Sequence, residues 1–317
     1  MRSISEADLV DLHGKVALVT GGNTGIGYAT IQMLARKGAK VYMGARDQER
    51  AEAAIQQLEA EGISDGSVHW LKLDLSDVRR VREAVASFCK KEERLDVLVN
   101  NAAKTFPGPY RVNDDGFLDI MAVNHIGHFA LTQGLLPLMI ETAKRPNSDV
   151  RIVNVSSVAH TQVKPTTFAT RDALNKNYGD SVMGTLNTYG NTKLANILHM
   201  KELQKRLAAD SVPITCISVH PGSVKTTGSD HFLGAVPCLG WLFRDYIGPL
   251  FFGPWRNGAI PVVFAAAGAK VVEDNDKYRG AYLIPPAALS QPSKYALDER
   301  LQKELFDTTE TILTELN

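Results

Sequence analysis

The first two thirds of the chain alternate between short apolar, β-branched runs and longer segments with helical periodicity. The first run, Lys15–Thr20, is continuously apolar and ends in glycines, as expected of a strand buried on both faces. Helical patterns of about a dozen residues between such runs predict β-α-β units and an open, doubly wound parallel sheet with helices on both faces. The other predicted strands are Lys40–Gly44, Val68–Leu73, Leu95–Val99, Arg151–Val155, Ile214–Val219 and Ala281–Ile284.

The helical segments carry start and stop signals. The first helix begins near Thr24 and is closed by Gly38, and Asp47 and Ser76 are placed to cap the next two helices. An apolar stripe near the C-terminus predicts a last helix docked on the body. The remaining predicted helices span Asp114–Thr142, Leu186–Ala209 and Tyr295–Leu316.

Composition and charge narrow the classes of function. The 317 residues contain 35 Lys and Arg against 35 Asp and Glu, so the net charge is zero. This balance removes the electrostatic signature of a nucleic-acid binder or of a polybasic protein at a membrane surface. The three cysteines, Cys89, Cys216 and Cys238, are far apart, which argues against a disulfide framework or a cysteine zinc site and favours a reducing compartment.

No targeting or membrane-spanning segment is predicted. Met1–Gly14 contains three acidic residues where a signal peptide would be apolar. The longest apolar-looking stretch, His231–Pro254, is interrupted by Arg244, Asp245, glycines and prolines, whereas a spanning helix needs about 20 predominantly apolar residues. We expect a soluble, cytoplasmic protein with no transmembrane segment and no nucleic-acid partner; whether it forms a homo-oligomer is left open.

A glycine-rich loop, Thr20–Gly27, lies between the first strand and the first helix. Gly21, Gly25 and Gly27 lack the Cβ that would block a tight turn, a pyrophosphate and the contact between helix and sheet. The N-terminus of the following helix offers free N–H groups and a positive dipole end to phosphates. The loop predicts a dinucleotide site and makes the expected fold Rossmann-type.

The spacing TGxxxGxG in this loop resembles the glycine motif of short-chain dehydrogenases/reductases. Asn100–Ala103 resembles the family's NNAG motif, with Ala103 in place of glycine, and His220–Thr226 resembles its PGxVxT segment near the nicotinamide. The resemblance runs from about Lys15 to Thr227.

Two further segments look closest to the retinol-dehydrogenase-like branch of that family: Val153–His160 and Tyr189–Asn196. No internal repeat, low-complexity tract or Pro/Ser-rich linker divides the sequence, so one domain over residues 1–317 is expected. The resemblance implies a reaction of the carbonyl reductase or alcohol dehydrogenase type. The expected divisions of the domain are residues 15–150 mainly for cofactor binding, 151–230 for catalysis, 225–256 for a lid over the substrate and 295–317 for the C-terminal helix.

Four residues fall in the order of the family's catalytic tetrad: Asn124, Ser157, Tyr189 and Lys193. Tyr189 and Lys193 are four residues apart, so both face the same way from one helix. An ammonium about 4 Å away stabilises a phenolate by up to ~4 kcal/mol at an effective dielectric near 20. We therefore expect Lys193 to lower the pKa of Tyr189 against the opposing effect of burial.

The resemblance assigns a role to each member of the tetrad. Ser157 holds the substrate oxygen and Tyr189 donates or accepts the proton. Lys193 tunes Tyr189 and binds the nicotinamide ribose. The Asn124 side chain, in the middle of a long helix, holds a water that links Lys193 to solvent.

Neighbouring residues compete for these roles. Tyr178 has Val182 rather than a lysine four residues later, so it is discarded as the acid/base. Ser156 would point to the opposite side of the strand end from Ser157, because successive side chains alternate along a strand.

The histidines and cysteines give no metal site. His125 and His128 meet no third ligand at metal spacing and are interpreted as helix-surface or packing residues, and His160 is a candidate pocket residue. A zinc alcohol dehydrogenase is disfavoured because no Cys/His cluster is present. A non-catalytic NADP(H)-sensing regulatory protein remains the alternative function, although such a protein would be expected to have lost part of the tetrad.

The end of the second strand predicts NADP(H) as the cofactor. An NAD-selective member would carry an acidic residue about where Ala45 stands, and Arg46 offers a charged fork to a 2′-phosphate. Asp47 is interpreted as a helix cap, and Asp74 matches the family's adenine-contacting aspartate. The predicted cofactor-binding residues are Gly21, Asn23, Thr24, Gly25, Ile26, Gly27, Arg46, Asp74, Leu75, Asn101, Ala102, Tyr189, Lys193, Pro221, Gly222, Val224 and Thr226.

The predicted substrate is a bulky, largely apolar ketone, aldehyde or alcohol. The lid segment is rich in aromatic residues, which line apolar pockets well. These residues could instead anchor the lid to the body or to a partner subunit, or rest on a membrane. The aromatic residues are Phe232, Trp241, Phe243, Tyr246, Phe251, Phe252 and Trp255.

Overall fold

The structure, a computed structural model, describes residues 4–105, 108–222 and 255–316. Its strands are β1 (Val16–Thr20), β2 (Lys40–Ala45), β3 (Ser67–Lys72), β4 (Val97–Asn100), β5 (Val150–Val155), β6 (Ile214–Val219), β7 (Tyr282–Ile284) and β8 (Ala288–Ser290). Its α-helices are α1 (Gly25–Arg36), α2 (Gln48–Glu61), α3 (Val78–Cys89), α4 (Asp119–Met121), α5 (Gly127–Ala143), α6 (Arg171–Leu174), α7 (Val182–Ala209), α8 (Trp255–Ala267), α9 (Ala269–Glu273), α10 (Asn275–Tyr278) and α11 (Glu299–Glu315).

The eight strands form one sheet in the order β3-β2-β1-β4-β5-β6-β7-β8. The first seven are parallel, with Leu18 of β1 opposite Tyr42 of β2 on one side and Leu98 of β4 on the other. Strand β8 runs antiparallel to β7. Because the strand order reverses between β1 and β4, a crevice forms at the carboxyl ends of these strands, where open α/β sheets bind ligands.

Helices cover both faces of the sheet, which confirms the predicted doubly wound, Rossmann-type α/β fold. Leu18 belongs to a core that also contains residues of α3, α5, α7 and α11. Its neighbour Val19 belongs to the core on the other face, with α1, α2 and α8. Both side chains are fully buried, as the continuous apolar run predicted.

The cap of α3 differs from the prediction. Asp77, not Ser76, is the N-cap, and its carboxylate accepts a hydrogen bond from the Arg79 N–H at 2.9 Å. The Ser76 hydroxyl instead donates to Asp74 at 2.6 Å. A carboxylate next to the first helical residue thus takes the position that the serine was expected to fill.

The helix predicted over Asp114–Thr142 is shorter and interrupted. Val112 pairs with Leu118 across a turn, so helical structure begins only at α4. A π-helical turn, Ala122–Ile126, then joins α4 to α5. The hydrophobic pattern over this segment does not reveal the change in hydrogen-bond register, and π turns of this kind are frequent at functional sites.

The starts of two further helices differ from the predicted positions. Helix α7 begins at Val182, four residues before the predicted start, because the Ser181 hydroxyl caps it by accepting from the Gly184 N–H at 3.0 Å. Helix α11 begins at Glu299 rather than Tyr295, since Asp298 is its N-cap. Helix α8 and strand β8 were not predicted from the sequence.

Most of the predicted lid, residues 225–256, lies outside the described residues, as do His231–Pro254, Val224 and Thr226. Within the described ranges, no helix is long and apolar enough to cross a membrane.

Candidate active site

The candidate site lies at the carboxyl ends of the central strands and begins with the glycine loop after β1. A Cβ added at Gly27 would lie 2.4 Å from the Gly21 carbonyl oxygen and 2.6 Å from Nδ2 of Asn101, so only glycine fits there. Gly25, with a φ of +57°, faces open space with no atom within 4 Å of an added Cβ. The loop therefore forms a packed base with an open side at the N-terminus of α1. This cradle fits a dinucleotide pyrophosphate.

The other predicted loop residues follow β1 or β6 in the sequence. Asn23 and Ile26 are partly buried, and Thr24 is exposed and precedes α1 as its N-cap. Pro221 and Gly222 follow β6 and are partly buried, and Gly222 has a φ of +88°.

The Thr20 hydroxyl fixes the segment that follows β4. It accepts hydrogen bonds from the backbone N–H groups of Asn101 and Ala102, each at 2.9 Å. Nδ2 of Asn101 donates back to the Thr20 carbonyl oxygen at 2.8 Å. These bonds bring two predicted cofactor residues against the glycine loop.

Asp74 lies two residues after β3, paired with Arg80 and within the influence of the Arg46 charge. Its carboxylate accepts from the Ser76 N–H at 3.1 Å and from Nη1 of Arg80 at 2.9 Å. Burial acts to raise the pKa of Asp74, but the Ser76 hydrogen bonds and the charges of Arg46 and Arg80 hold it below its ordinary value. Arg46 is exposed at the end of β2, and Leu75 is buried.

Ser157 begins the short 3₁₀ helix Val158–Gln162 after β5, and its hydroxyl accepts from the Ala159 N–H at 3.2 Å. The same side chain hydrogen-bonds Tyr189. The Ser156 hydroxyl instead donates to the Lys193 carbonyl oxygen at 2.7 Å. The two serines therefore have different partners, both on α7, and the opposite orientation of Ser156 stays a prediction.

The Lys193 ammonium lies under the tyrosine. Its Nζ is 5.6 Å from the centroid of the Tyr189 ring and donates to the Val155 carbonyl oxygen at 2.9 Å. Lys193 is 2% exposed, and burial lowers its pKa to about 7.

The expectation that Lys193 lowers the pKa of Tyr189 is wrong for this arrangement. Burial raises the pKa of Tyr189 to about 12, and only the Ser157 hydrogen bond acts in the opposite direction. The physical reason is that burial disfavours the charged phenolate, while the Lys193 ammonium faces the tyrosine ring and donates to the Val155 carbonyl oxygen.

Asn124 lies in the π-helical turn, not in the middle of a regular helix. Its Oδ1 accepts from the Lys104 N–H at 2.7 Å, and its Nδ2 donates to the Lys104 carbonyl oxygen at 2.9 Å and to the Thr192 hydroxyl at 3.0 Å. The side chain thus fixes the segment after β4 by pairing with its backbone. The role of holding a water that links Lys193 to solvent stays a prediction.

His160 is buried, and both of its ring nitrogens have hydrogen-bond partners. It is 1% exposed, its Nδ1 lies 2.7 Å from the Ser157 carbonyl oxygen, and its Nε2 accepts from the Ser293 N–H at 3.0 Å. His125 and His128 are buried rather than on the helix surface. Tyr178 precedes α7 and is thus not on the helix that carries Tyr189 and Lys193.

One lid aromatic is described. The Trp255 ring packs edge-on against Tyr28 of α1 at 6.0 Å, and the Arg256 guanidinium lies 4.7 Å from its centroid. Arg256 also donates to Gln32 and Glu61. Trp255 therefore anchors α8 to the body, which is the alternative that the sequence left open for these aromatics.

Sequence reasoning missed two groups that hold predicted site residues in place: the Thr20 hydroxyl, which binds Asn101 and Ala102, and Arg80, which binds Asp74. Thr20 opens the TGxxxGxG motif, so the motif itself carried the signal; Arg80 carried none, because its contact with Asp74 depends on how α3 leaves β3. No group of three or more His, Cys, Asp or Glu residues able to hold a metal occurs within the ranges that the structure describes.

The sheet, the glycine cradle and the group formed by Ser157, Tyr189 and Lys193 define the class of the protein as that of dinucleotide-dependent oxidoreductases. The family model for short chain dehydrogenase matches residues 15–169. A short-chain dehydrogenase/reductase of Armillaria gallica is 42% identical over 311 residues, covering 97% of this chain and 95% of the relative. Retinol dehydrogenase 12 of Bos taurus is 39% identical over 239 residues, covering 75% and 70% of the two chains.

Solved structures agree with this fold. An uncharacterized protein from Mycobacterium paratuberculosis has a TM-score of 0.73 at 29% identity, covering 99% of this chain and 98% of the other. The Pseudomonas aeruginosa RhlG/NADP active-site complex has a TM-score of 0.63 at 25% identity, covering 88% and 97%. The chain belongs to the short-chain dehydrogenase/reductase family of oxidoreductases, in a branch like that of the retinol dehydrogenases.

Proposed function

We propose that this protein transfers a hydride between NADP(H) and the carbonyl or alcohol carbon of a bulky, apolar substrate. The observation that carries the proposal is the hydrogen bond between Ser157 and Tyr189, with Lys193 beneath the tyrosine ring. Ser157 follows β5 and the glycine cradle follows β1, so both lie at the carboxyl edge of one sheet, and α7 brings Tyr189 and Lys193 to Ser157. A proton donor and a dinucleotide cradle at one edge are what reduction of a carbonyl requires.

The nicotinamide supplies the hydride when the cofactor is bound. Ser157 binds the substrate oxygen, and Tyr189 donates a proton to that oxygen as the carbonyl becomes an alcohol. With a pKa of about 12, Tyr189 is protonated at neutral pH and ready to donate. Lys193 lies where it can bind the nicotinamide ribose, and its pKa of about 7 leaves part of the population charged.

The surroundings of Arg46 support NADP(H) over NAD(H). The last residue of β2, Ala45, is a buried alanine, so this position carries no acidic side chain that would repel a 2′-phosphate. The Asp47 carboxylate, the nearest in sequence, caps α2 by accepting from the Arg50 N–H at 3.0 Å. Arg46 is exposed, and its positive charge helps to lower the pKa of Asp74. The similar RhlG structure is an NADP complex.

An apolar substrate is supported by an exposed apolar residue next to Ser157, by the composition of the lid segment and by the name of a relative. Val158, the next residue, is 52% exposed beside the reacting groups. Segment 225–256 is rich in aromatic residues, and one relative is named a retinol dehydrogenase. An apolar wall with a few convergent polar groups is typical of small-molecule sites.

The test has two parts. Calorimetric titration with NADPH and NADH should give tighter binding of NADPH; equal affinities would contradict the cofactor proposal. Purified protein with NADPH and a panel of ketones, aldehydes and quinones should then oxidise NADPH. Within a series of ketones that share one reacting group, catalytic efficiency should rise with apolar size, and a flat or falling series would contradict the substrate proposal.

A further inference from the structure

Hydrogen bonds connect the cofactor loop to the π-helical turn through His128. Nε2 of His128 lies 2.8 Å from the Thr20 hydroxyl, and its Nδ1 lies 3.2 Å from the Asn124 carbonyl oxygen. The same hydroxyl holds the N–H groups of Asn101 and Ala102. His128 is 1% exposed, so these contacts are shielded from water.

The number of donors and acceptors decides which nitrogen of His128 carries the proton. A hydroxyl has one proton and two lone pairs. Both lone pairs of Thr20 Oγ1 face N–H donors: that of Ala102, and that of Asn101, which is shared with the Val99 carbonyl. The hydroxyl proton therefore points to Nε2 of His128 at 2.8 Å rather than to the Val99 carbonyl at 3.5 Å.

Since Nε2 accepts, the proton of the neutral ring must be on Nδ1, where it is donated to the Asn124 carbonyl oxygen. The bonds then all run in one direction, from the Asn101 and Ala102 N–H groups through Thr20 and His128 to Asn124. Burial lowers the pKa of His128 to about 3, with the charge of Lys193 acting in the same sense and the Asn124 bond opposing. The ring is neutral at physiological pH.

We propose that His128 is a positioning residue of the active site, which in its Nδ1-protonated form fixes the Thr20–Asn101 contact on one side and the Asn124 carbonyl on the other. The proposal rests on the proposed function and adds a residue to it. His128 acts through its two hydrogen-bond partners, the Thr20 hydroxyl and the Asn124 carbonyl oxygen.

His125 provides a matched control on the same stretch of chain. It is also 1% exposed, but its Nε2 lies 2.9 Å from the Thr309 hydroxyl of α11, on the core side. His125 thus packs the C-terminal helix, and a substitution there tests the cost of disturbing a buried histidine without disturbing the cofactor loop.

The first experiment measures the tautomer in the wild-type protein without cofactor. Nitrogen-15 NMR of histidine-labelled protein at neutral pH should show His128 protonated at Nδ1 only, as is also expected of His160, whose Nε2 accepts from the Ser293 N–H. The His128 signal should disappear in H128Q while that of His160 remains. A His128 signal from a ring protonated at Nε2, or at both nitrogens, would overturn the proposal.

The second experiment uses two substitutions that each keep half of the connection. In H128Q the longer amide can accept from Thr20 but does not replace the Nδ1 donor. In H128N the shorter amide can donate to Asn124 but leaves the Thr20 hydroxyl without its acceptor. We expect H128N to weaken NADPH binding by about tenfold, and H128Q to keep that affinity within about threefold while kcat falls.

H125Q should leave NADPH affinity and kcat near wild type, whatever its effect on Tm. Equal NADPH affinities of H128N and H128Q would mean that His128 only fills space and would overturn the proposal. If the wild-type protein binds NADPH but reduces no carbonyl, the proposed function fails while the tautomer and the two affinities still decide the role of His128.

Discussion

Nζ of Lys193 lies 5.6 Å from the centroid of the Tyr189 ring and donates its hydrogen bond to the Val155 carbonyl oxygen. Burial therefore dominates both groups: it raises the pKa of Tyr189 to about 12 and lowers that of Lys193 to about 7. Tyr189 is therefore protonated at neutral pH, as the proposed role of proton donor requires, and the pKa of Lys193 lies near neutral pH. These two states lead to separate experiments.

Tyr189→Phe should abolish turnover while leaving the fold and NADPH binding intact, because it removes one hydroxyl and no ring atom. Loss of a positioned proton donor costs about 10²–10⁴-fold in rate. Steady-state kinetics with the best ketone of the panel, beside calorimetric NADPH binding, provides the measurement. Tyr178→Phe is the control, since Tyr178 lies before α7, and it should change kcat less than about twofold. The assignment of the acid/base is wrong if Tyr178→Phe is the variant that stops the reaction.

In the protein without cofactor, the stability of Lys193→Met relative to wild type should be greater at pH 7 than at pH 10. Because the pKa of Lys193 falls from 10.5 to about 7 on folding, the unfolded chain binds this proton between those pH values and the folded chain does not. Wild-type stability relative to the variant should therefore rise from pH 7 to pH 10, in total by several kcal/mol at about 1.4 kcal/mol per pKa unit.

Urea denaturation of Lys193→Met and wild type at several pH values measures this difference. The control is Lys205→Met on the same helix, which removes an exposed lysine paired with Glu299 at 2.7 Å. Its stability difference from wild type should show no such rise. A pH-independent difference for Lys193→Met would mean that Lys193 is charged in the folded state over the whole range.

The sequence predicted the main body of the fold because its physical causes are local. Continuous apolar runs such as Lys15–Thr20 identified strands buried on both faces, and glycines marked the loop that follows. Strand β8 has only three residues, Ala288–Ser290, which is too short for a period to show. Helix α8 was missed because it begins within a segment read as a lid.

The candidate site was predicted in its residues but not in its electrostatics. Motif order identified Ser157, Tyr189 and Lys193, and the structure brings the three together. The direction of the tyrosine pKa shift depends on burial by distant elements and on a carbonyl that takes the ammonium, neither of which a spacing reveals. The contact of His128 with Thr20 joins residues 108 positions apart, so no local pattern contains it.

Arg151→Met should strongly destabilise the protein, although Arg151 is remote from the chemistry. Its guanidinium is fully buried and donates to the Ala265 and Gly268 carbonyl oxygens and to the Asp149 carboxylate. Removal takes a donor from the Ala265 and Gly268 carbonyl oxygens, the latter keeping the Val271 N–H at 3.2 Å, and leaves the Asp149 carboxylate without its cation, at a cost of about 3–5 kcal/mol.

Chemical denaturation measures the effect of Arg151→Met. Arg300→Met is the control, because Arg300 is 56% exposed and pairs with Glu304 within one helix. Such a pair contributes at most about 1 kcal/mol. Similar losses for the two variants would mean that the buried arginine adds no more than a surface ion pair.

Arg46→Ala should reduce the preference for NADPH by weakening NADPH binding about ten- to a hundredfold while leaving NADH binding unchanged. A hydrogen bond to a charged group contributes about 1.5–3 kcal/mol, and about 1.4 kcal/mol corresponds to a factor of ten. Arg46 is exposed next to the end of β2, where a 2′-phosphate would lie, and its charge also acts on Asp74.

Calorimetric titration of both cofactors into both proteins gives the four affinities. Arg79→Ala is the control, because the Arg79 guanidinium is already paired with Asp115 at 2.9 Å. If Arg46→Ala weakens NADPH and NADH equally, the arginine supports the loop rather than the phosphate, and the basis for NADP(H) preference must lie elsewhere in the site.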